Sequence, residues 1–130
     1  MARLTQLRTM LDARSIPETV AFYERLGFEL VNTFGGDPPT WAQVARDGIR
    51  LMFNAAEPHV HDDGEVHSHE PSMSGSIYLD ADDVDALYDE LRPRVERVVM
   101  EPTTREHGMR EFAVEDPNGY LLIFGAPVAP

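Results

Sequence analysis

The chain has 130 residues, with 23 acidic and 11 basic side chains and a formal net charge of −12. This length fits one domain with a real hydrophobic core. The acidic balance argues against nucleic acid, whose binding depends on Lys and Arg contacts to phosphate. It is compatible with a cationic ligand, which a negative field attracts, and the alternative is that the charge serves solubility alone.

The sequence also argues against membranes and secretion. No apolar run approaches the ~20 residues that cross a bilayer. Residues 1–12 have neither an apolar signal core nor a cleavage site, and the chain contains no Cys. Without Cys there are no disulfides and no thiolate ligands. We therefore expect a cytoplasmic protein.

The first predicted elements are a strand and a helix. Residues 4–13 alternate in character, which places Arg8, Met10 and Asp12 on one face of a strand. Ser15 to Glu18 has the pattern of a capping box. Apolar residues then recur at helical spacing until Gly27, which is expected to end the helix.

The rest of the first half reads as three strands. Residues 28–34 are one predicted strand, and VARDGIRLMF at residues 44–53 has Asp-Gly turn chemistry between two further strands.

The stretch HVHDDGEVHSHE, residues 59–70, lies between prolines and is rich in histidine. The pairs His59-x-His61 and His67-x-His69 are candidate ligands for Zn, Ni or Cu, which suit imidazole. The polar, Gly-containing composition is instead typical of a variable surface connector. A third hypothesis is a lid whose charge changes as histidines titrate near pH ~6.5.

The second half repeats the first. Residues 74–80 predict a strand, a helix begins at Asp82 or Asp83 and stops at Pro93, and residues 95–100 form the next strand. AVEDPNGYLLIF, residues 113–124, is the closing hairpin. In its last strand, Leu122 and Phe124 are expected to pack on a helix, with Leu121 and Ile123 facing a cleft or a partner chain.

Two copies of the order strand, helix and three strands predict an α+β fold. We expect two βαβββ modules in tandem, forming curved sheets around a cleft with the helices outside. The single domain spans 1–130: module one covers about 1–56, the connector about 57–72 and module two about 73–128.

Three segments make the sequence resemble a known family: SIPETVAFYERLGFEL, DADDVDALYDEL and GMREFAVEDPNGYLLIFG. They resemble the vicinal oxygen chelate superfamily, which includes glyoxalases, extradiol dioxygenases, fosfomycin-resistance enzymes and bleomycin-resistance proteins. The run GMREFAVEDPNG is most similar to the bleomycin-resistance branch. Proteins of that branch are metal-free dimers that sequester a cationic glycopeptide drug in grooves between subunits.

The resemblance also implies where a metal would bind. Enzymes of the superfamily hold a divalent metal with His, Gln or Glu on the cleft-facing strands. Here those positions fall on Arg8, on Arg50 or Met52, on Ser76 and on Ile123. None of these is a usual metal ligand, although a metal enzyme needs three or four. We therefore expect neither a metal site nor a cofactor.

The candidate ligand-binding residues are aromatic, thioether and cationic: Arg8, Met10, Phe34, Trp41, Met52, Arg110 and Phe112. Trp41 would be a stacking platform, and its alternative is a core or dimer-interface residue. The apolar strand residues have the same alternative. The two arginines would either form ion pairs, Arg8 with Asp12 for example, or bind a ligand carboxylate.

The sequence thus favours metal-independent sequestration of a small, cationic or aromatic, antibiotic-like molecule at a homodimer interface. The first alternative is a metal-dependent glyoxalase-like lyase or dioxygenase, with a ligand set in another register or in the His-rich stretch. The second is an interaction module without a ligand. No nucleophile motif appears, and Glu111 and Glu115, the candidate bases, are expected to face solvent.

Overall fold

The computed structural model describes residues 1–56, 58–60, 66–68 and 71–128. Two units make up the chain, Met1–Pro71 and Ser72–Pro130. Within the described ranges no helix has the length and apolar character needed to span a membrane. The candidate ligands His61 and His69 lie outside the described residues.

Unit 1 contains one helix and a four-stranded sheet. Its elements are β1 (Thr9–Ala13), α1 (Ile16–Arg25), β2 (Glu29–Phe34), β3 (Trp41–Arg46) and β4 (Ile49–Ala55). The strand order is β1-β4-β3-β2, with β1 parallel to β4 and the other pairs antiparallel. Two short strands, β5 (Pro58–Val60) and β6 (Val66–Ser68), then pair in antiparallel fashion.

Unit 2 repeats this arrangement. Its elements are β7 (Ile77–Asp80), α2 (Val84–Leu91), a 3-10 turn (Arg92–Arg94), β8 (Val98–Thr104), β9 (Met109–Glu115) and β10 (Leu121–Pro127). The order β7-β10-β9-β8, with β7 parallel to β10, matches that of unit 1. The predicted α+β class and the two tandem βαβββ modules are confirmed. The cleft between modules stays a prediction.

Local sequence explains where α1 begins and ends. The Ser15 hydroxyl accepts a hydrogen bond from the Glu18 N–H at 3.3 Å, so the predicted N-cap is present. At the other end, Phe28 N–H donates to the Tyr23 carbonyl and Gly27 N–H to that of Glu24, both at 3.0 Å. These two bonds form a Schellman motif, and Gly27 supplies its left-handed φ of 87°.

An aromatic cluster fixes α1 on its sheet. The ring of Tyr23 is fully buried and lies 5.0 Å from Phe53 on β4, 5.2 Å from Phe22 and 5.6 Å from Phe28, centroid to centroid. Rings at these separations add to the burial of their apolar area. The residues of β1 that share this side, Leu11 and Ala13, are buried as well.

In unit 2 the helix is anchored in the same way. Asp83 is the N-cap and accepts from the Ala86 N–H at 3.0 Å. Tyr88 of α2 meets Phe112 edge-on at 5.3 Å, and Phe112 stacks on Phe124 at 4.9 Å. Phe124 and Leu122 therefore lie on the helix side of the sheet, as expected.

Both closing hairpins follow the predicted turns. Asp47 and Gly48 have φ of 49° and 83°, the positive pair that a two-residue hairpin turn requires. In unit 2 the buried Asp116 carboxylate accepts from the N–H groups of Asn118 and Tyr120, each at 2.9 Å. The Asp-Pro-Asn-Gly segment thus caps its own turn with a side chain.

Two element boundaries differ from the sequence predictions. β1 begins at Thr9, which is the first residue to pair with β4, opposite Leu51, so residues 4–8 precede the strand. β8 begins at Val98, because the 3-10 turn at Arg92–Arg94 and the buried Val95 occupy the chain before it.

Candidate functional site

We call the side of each sheet that faces away from its helix the open face. In unit 1 a row of paired residues crosses this face from strand to strand. Met10 pairs with Met52, Met52 with Gln43, and Gln43 with Asn32. Met10 is 54% exposed, whereas its neighbour Leu11 is buried against the helix side. The thioethers of Met10 and Met52 therefore belong to the open face.

A chain of side-chain hydrogen bonds runs along this row. Arg8 NH1 donates to Gln43 Oε1 at 3.1 Å, and Gln43 Nε2 donates to Asn32 Oδ1 at 3.3 Å. Gln43 is 5% exposed, so both ends of its amide are engaged where water has little access. A guanidinium that binds through one nitrogen keeps further donors for other acceptors. Gln43 thus holds Arg8 in one orientation on the open face.

Two aromatic residues stand at one end of the same face. Trp41 of β3 pairs in register with Phe34 of β2, and on its other side with Asn54 of β4. Phe34 is 75% exposed and Trp41 is half-buried. Directly opposed strand residues have Cβ atoms about 5 Å apart. The two side chains therefore form a joined apolar area beside the polar row.

The repeat settles one alternative from the sequence. In unit 1 Met52 pairs with Met10 and lies four residues after Gly48; in unit 2 Ile123 pairs with Tyr78 and lies four residues after Gly119. Met52, rather than Arg50, is thus the counterpart of Ile123.

The open face of unit 2 differs in chemistry. One row contains Tyr78, Ile123, Ala113 and Met100, and the next contains Asp80, Gly125, Glu111 and Thr103. Ile123 is half-buried on this face, opposite in direction to the core residues Leu122 and Phe124.

Tyr78 lies diagonally across these two rows. A Cβ built on Gly125 would overlap the Tyr78 hydroxyl and lie 2.6 Å from its Cζ, so the phenol occupies the space that a side chain at 125 would fill. The hydroxyl donates a hydrogen bond to the Glu111 carboxylate. Desolvation on the sheet, this hydrogen bond and the negative charges of Glu111 and Asp80 raise the pKa of Tyr78 to about 12.

Glu111 was expected to face solvent, but the structure buries it. The residue is 7% exposed and its carboxylate is surrounded by donors. Besides the Tyr78 hydroxyl, Arg105 Nε lies 4.0 Å from Oε1 and His107 Nε2 lies 3.5 Å from Oε2. A buried carboxylate requires such partners. The expectation failed because the sequence of β9 does not show which of its alternating residues face the helix.

Arg110 and Phe112 lie on the other side of the same strand. Arg110 forms a two-pronged pair with Asp85 of α2, Nε to Oδ2 at 2.8 Å and NH2 to Oδ1 at 2.9 Å, and NH1 reaches Thr104 Oγ1 at 3.1 Å. Phe112 is 1% exposed inside the ring stack under α2. The structure therefore gives both residues packing partners on the helix side, away from the open face.

The open faces do not fit a bound metal. The four positions implied for metal ligands carry a guanidinium, a thioether, a hydroxyl and a hydrocarbon: Arg8, Met52, Ser76 and Ile123. In the described part of the chain no group of three or more His, Cys, Asp or Glu side chains is arranged to hold a metal ion. His59 and His67 pair in register between β5 and β6.

Comparisons with known proteins identify a family and similar solved structures. The model of the Glyoxalase/Bleomycin resistance protein/Dioxygenase superfamily matches residues 5–124. A bleomycin-binding protein of bleomycin-producing Streptomyces verticillus, solved with copper(II)-bleomycin, has 28% identity and a TM-score of 0.70 over 98% of this chain and 100% of its own. The comparison with curated proteins gave no match.

Two further solved structures are similar over the whole length. A bleomycin-binding protein complexed with bleomycin has 26% identity and a TM-score of 0.71, covering 96% of this chain and 100% of its own. A bleomycin resistance determinant encoded on the transposon Tn5 has 25% identity and a TM-score of 0.72, covering 97% of this chain and 100% of its own.

Sequence reasoning missed three residues of the open faces, Gln43, Tyr78 and Gly125, and placed Glu111 in solvent. A buried Gln on a strand and a Gly inside one are the signals that existed, since a strand Gly often marks a close approach by another group. Neither signal identifies the residue that makes the contact. Tyr78, which packs on Gly125, lies 47 residues before it in the chain.

Proposed function

Because the chain belongs to the Glyoxalase/Bleomycin resistance protein/Dioxygenase superfamily, we propose that it is a binding protein that sequesters a small, antibiotic-like molecule without a metal. The ligand is cationic or aromatic and lies on the open faces of the sheets. We expect this binding to take place in the cytoplasm. The solved relatives that bind bleomycin support this class of ligand.

One observation carries the proposal: the positions that would hold a metal have side chains suited to contact a ligand instead. Arg8 is fixed by Gln43 at 3.1 Å and presents further donors. Met52 lies beside the exposed Met10, and flexible thioethers are common in adaptable pockets. A lyase or dioxygenase of this family would need His, Gln or Glu there.

Trp41 and Phe34 supply the aromatic part of the proposed site. They stand opposite each other at the end of β2 and β3. Large aromatic side chains give extensive contact area at low cost in conformational entropy. An apolar or aromatic portion of the ligand would cover Phe34, which is 75% exposed in the single chain.

We also propose that two chains form the complete site as a homodimer. β2 is an edge strand, all six of its residues are exposed, and Leu30, Val31 and Phe34 are among them. A long apolar edge is an association surface unless it is covered. Sedimentation of the purified chain tests this, with a dimer expected and a monomer at all concentrations contradicting it.

Trp41 provides a direct test, because it is the only Trp in the chain. Titration with metal-free bleomycin should change its fluorescence in a saturable way. Phe34→Ala should weaken binding. Ile49→Ala should not, because Ile49 is an exposed apolar residue that pairs with Arg46 at the opposite end of β4 from Trp41. No saturable change in the wild-type chain, together with no binding heat by calorimetry, would contradict the proposal.

A further inference from the structure

The ring of Tyr78 lies on the open face of unit 2, with its hydroxyl end over Gly125. One side of the ring covers Gly125, where a Cβ would come within 2.6 Å of Cζ and 3.1 Å of Cε1. Its hydroxyl is tied to Glu111, which is itself 7% exposed. A side chain fixed at both its backbone and its tip has little rotamer freedom left to lose on binding.

The opposite side of the ring remains accessible. Tyr78 is 41% exposed although its hydroxyl is engaged on the sheet, so the accessible area belongs to the ring side that is turned away from Gly125. Around it, Ile123 and Ala113 are the neighbours in the same row. The surface is therefore an aromatic face with apolar neighbours and a carboxylate at its hydroxyl end.

Cations are the ligands that this combination recognises. The electron-rich face of an aromatic ring attracts a cation within about 6 Å of its centroid, and quaternary ammonium groups are bound in this way. The Glu111 carboxylate adds a negative charge at the hydroxyl end of the same ring, and Asp80 lies in the same row as Glu111. The net charge of −12 favours cations at longer range.

We infer that Tyr78, set over Gly125 and tied to Glu111, is the contact for a cationic nitrogen group of the ligand. This inference rests on the proposed function and extends it, since it names the chemical group of the ligand and the residue that contacts this group. The contact is a cation–π interaction supported by the carboxylate, and the Gly at 125 is required to let the ring lie flat.

The protein's own cations set the strength of this contact. Arg105 lies 4.0 Å from Glu111 Oε1 and is half exposed, which describes a loose pair. His107 Nε2 lies 3.5 Å from Oε2, and this contact is an ion pair only when the imidazole carries a positive charge. Replacing Arg105 with Gln should therefore leave more negative potential at the ring and strengthen binding of a cation.

The test uses tetramethylammonium chloride as the cation and tert-butanol as a neutral molecule of similar shape. Each is titrated into the full chain while NMR follows the Tyr78 ring signals, which are assigned by their loss in Tyr78→Leu. The methyl signals of the neighbouring Ile123 remain in that variant and report its affinity for each probe. We expect a saturable shift with the cation alone. Tyr78→Leu keeps the apolar volume without the ring and should weaken the cation's binding roughly fivefold. Thermal unfolding of each variant checks that it is folded.

The outcomes separate this inference from the proposed function. Equal shifts with both probes, or unchanged cation affinity in Tyr78→Leu and Arg105→Gln, would overturn the role of Tyr78. If bleomycin still bound the wild-type chain in that case, the proposed function would stand. If the cation bound at Tyr78 and bleomycin did not bind, the proposed function would fail while this contact stood.

Discussion

Arg110 and Asp85 form a two-pronged ion pair that joins β9 to the first turn of α2, with N–O distances of 2.8 and 2.9 Å. The hydrogen bond from Arg110, followed by its positive charge, lowers the pKa of the Asp85 carboxyl below its usual value of 3.8. In return, the hydrogen bond to Asp85 raises the pKa of Arg110. The pair fixes the helix start, which is a packing role.

Asp85→Asn should lower the melting temperature slightly, because the pair is partly exposed and screened. A carboxyl whose pKa is lowered by folding contributes stability above its unfolded pKa of 3.8, and this is lost as the pH falls through the folded value. The difference in melting temperature between wild type and Asp85→Asn should therefore disappear in acid. Asp89→Asn, exposed on the same helix, is the control. A gap that persisted in acid would contradict the assignment.

Gln43→Leu should affect binding more than stability. It breaks the hydrogen bonds to Arg8 and Asn32, but both partners are exposed and can turn to water. We expect a loss of about 1 kcal/mol or less in the free energy of unfolding. Ligand affinity should fall further, since Arg8 loses its fixed orientation. Urea unfolding measures the free energy of unfolding and calorimetry measures the ligand affinity, with Gln6→Leu as the control. Unchanged affinity would remove Arg8 from the proposed site.

Gly125→Ala should destabilise unit 2 because its methyl group would occupy the space of the Tyr78 hydroxyl. We expect a cost of about 1–3 kcal/mol, typical of an overpacked contact. The φ of Gly125 is not in the left-handed region, so the backbone tolerates Ala. In a Tyr78→Ala background the cost should be much smaller. Additive effects in this double-mutant cycle, measured in urea, would show that the two positions do not interact.

Alkaline pH should weaken the wild-type protein through Tyr78. Folding raises the pKa of this phenol from 10 to about 12, so its contribution is complete below pH 10 and is lost as the pH rises towards 12. Tyr78→Phe should show a shallower fall in the free energy of unfolding over that range. Tyr88→Phe, whose ring contacts Phe112, is the matched control. Identical pH profiles for wild type and Tyr78→Phe would show that folding does not raise the pKa of Tyr78.

Local chemistry predicted the modules well. Ser15, Gly27 and Asp83 define helix ends through bonds to residues nearby in the chain, so their patterns can be read directly. The two Gly turns define the hairpins in the same way. Because both halves use the same order of elements, the repeat in the sequence became the repeat in the fold.

The open faces were harder to predict because they depend on register. Phe112 pairs with Phe124 across β9 and β10, so both must lie on one side of the sheet, but this follows only once the pairing is known. A shift of one residue exchanges the two sides of a strand. Phe112 was therefore expected on the open face and Glu111 in solvent, while the structure has Glu111 on the open face and Phe112 in the core.

Calorimetric titration of metal-depleted, untagged protein with metal-free bleomycin tests the central claim most directly, with metal content checked by elemental analysis. The account predicts saturable binding of micromolar affinity or tighter that does not require added metal. Deleting residues 59–69 should leave this binding in place. Binding that appeared only after the protein was loaded with a stoichiometric divalent metal, or no binding at all, would contradict metal-independent sequestration.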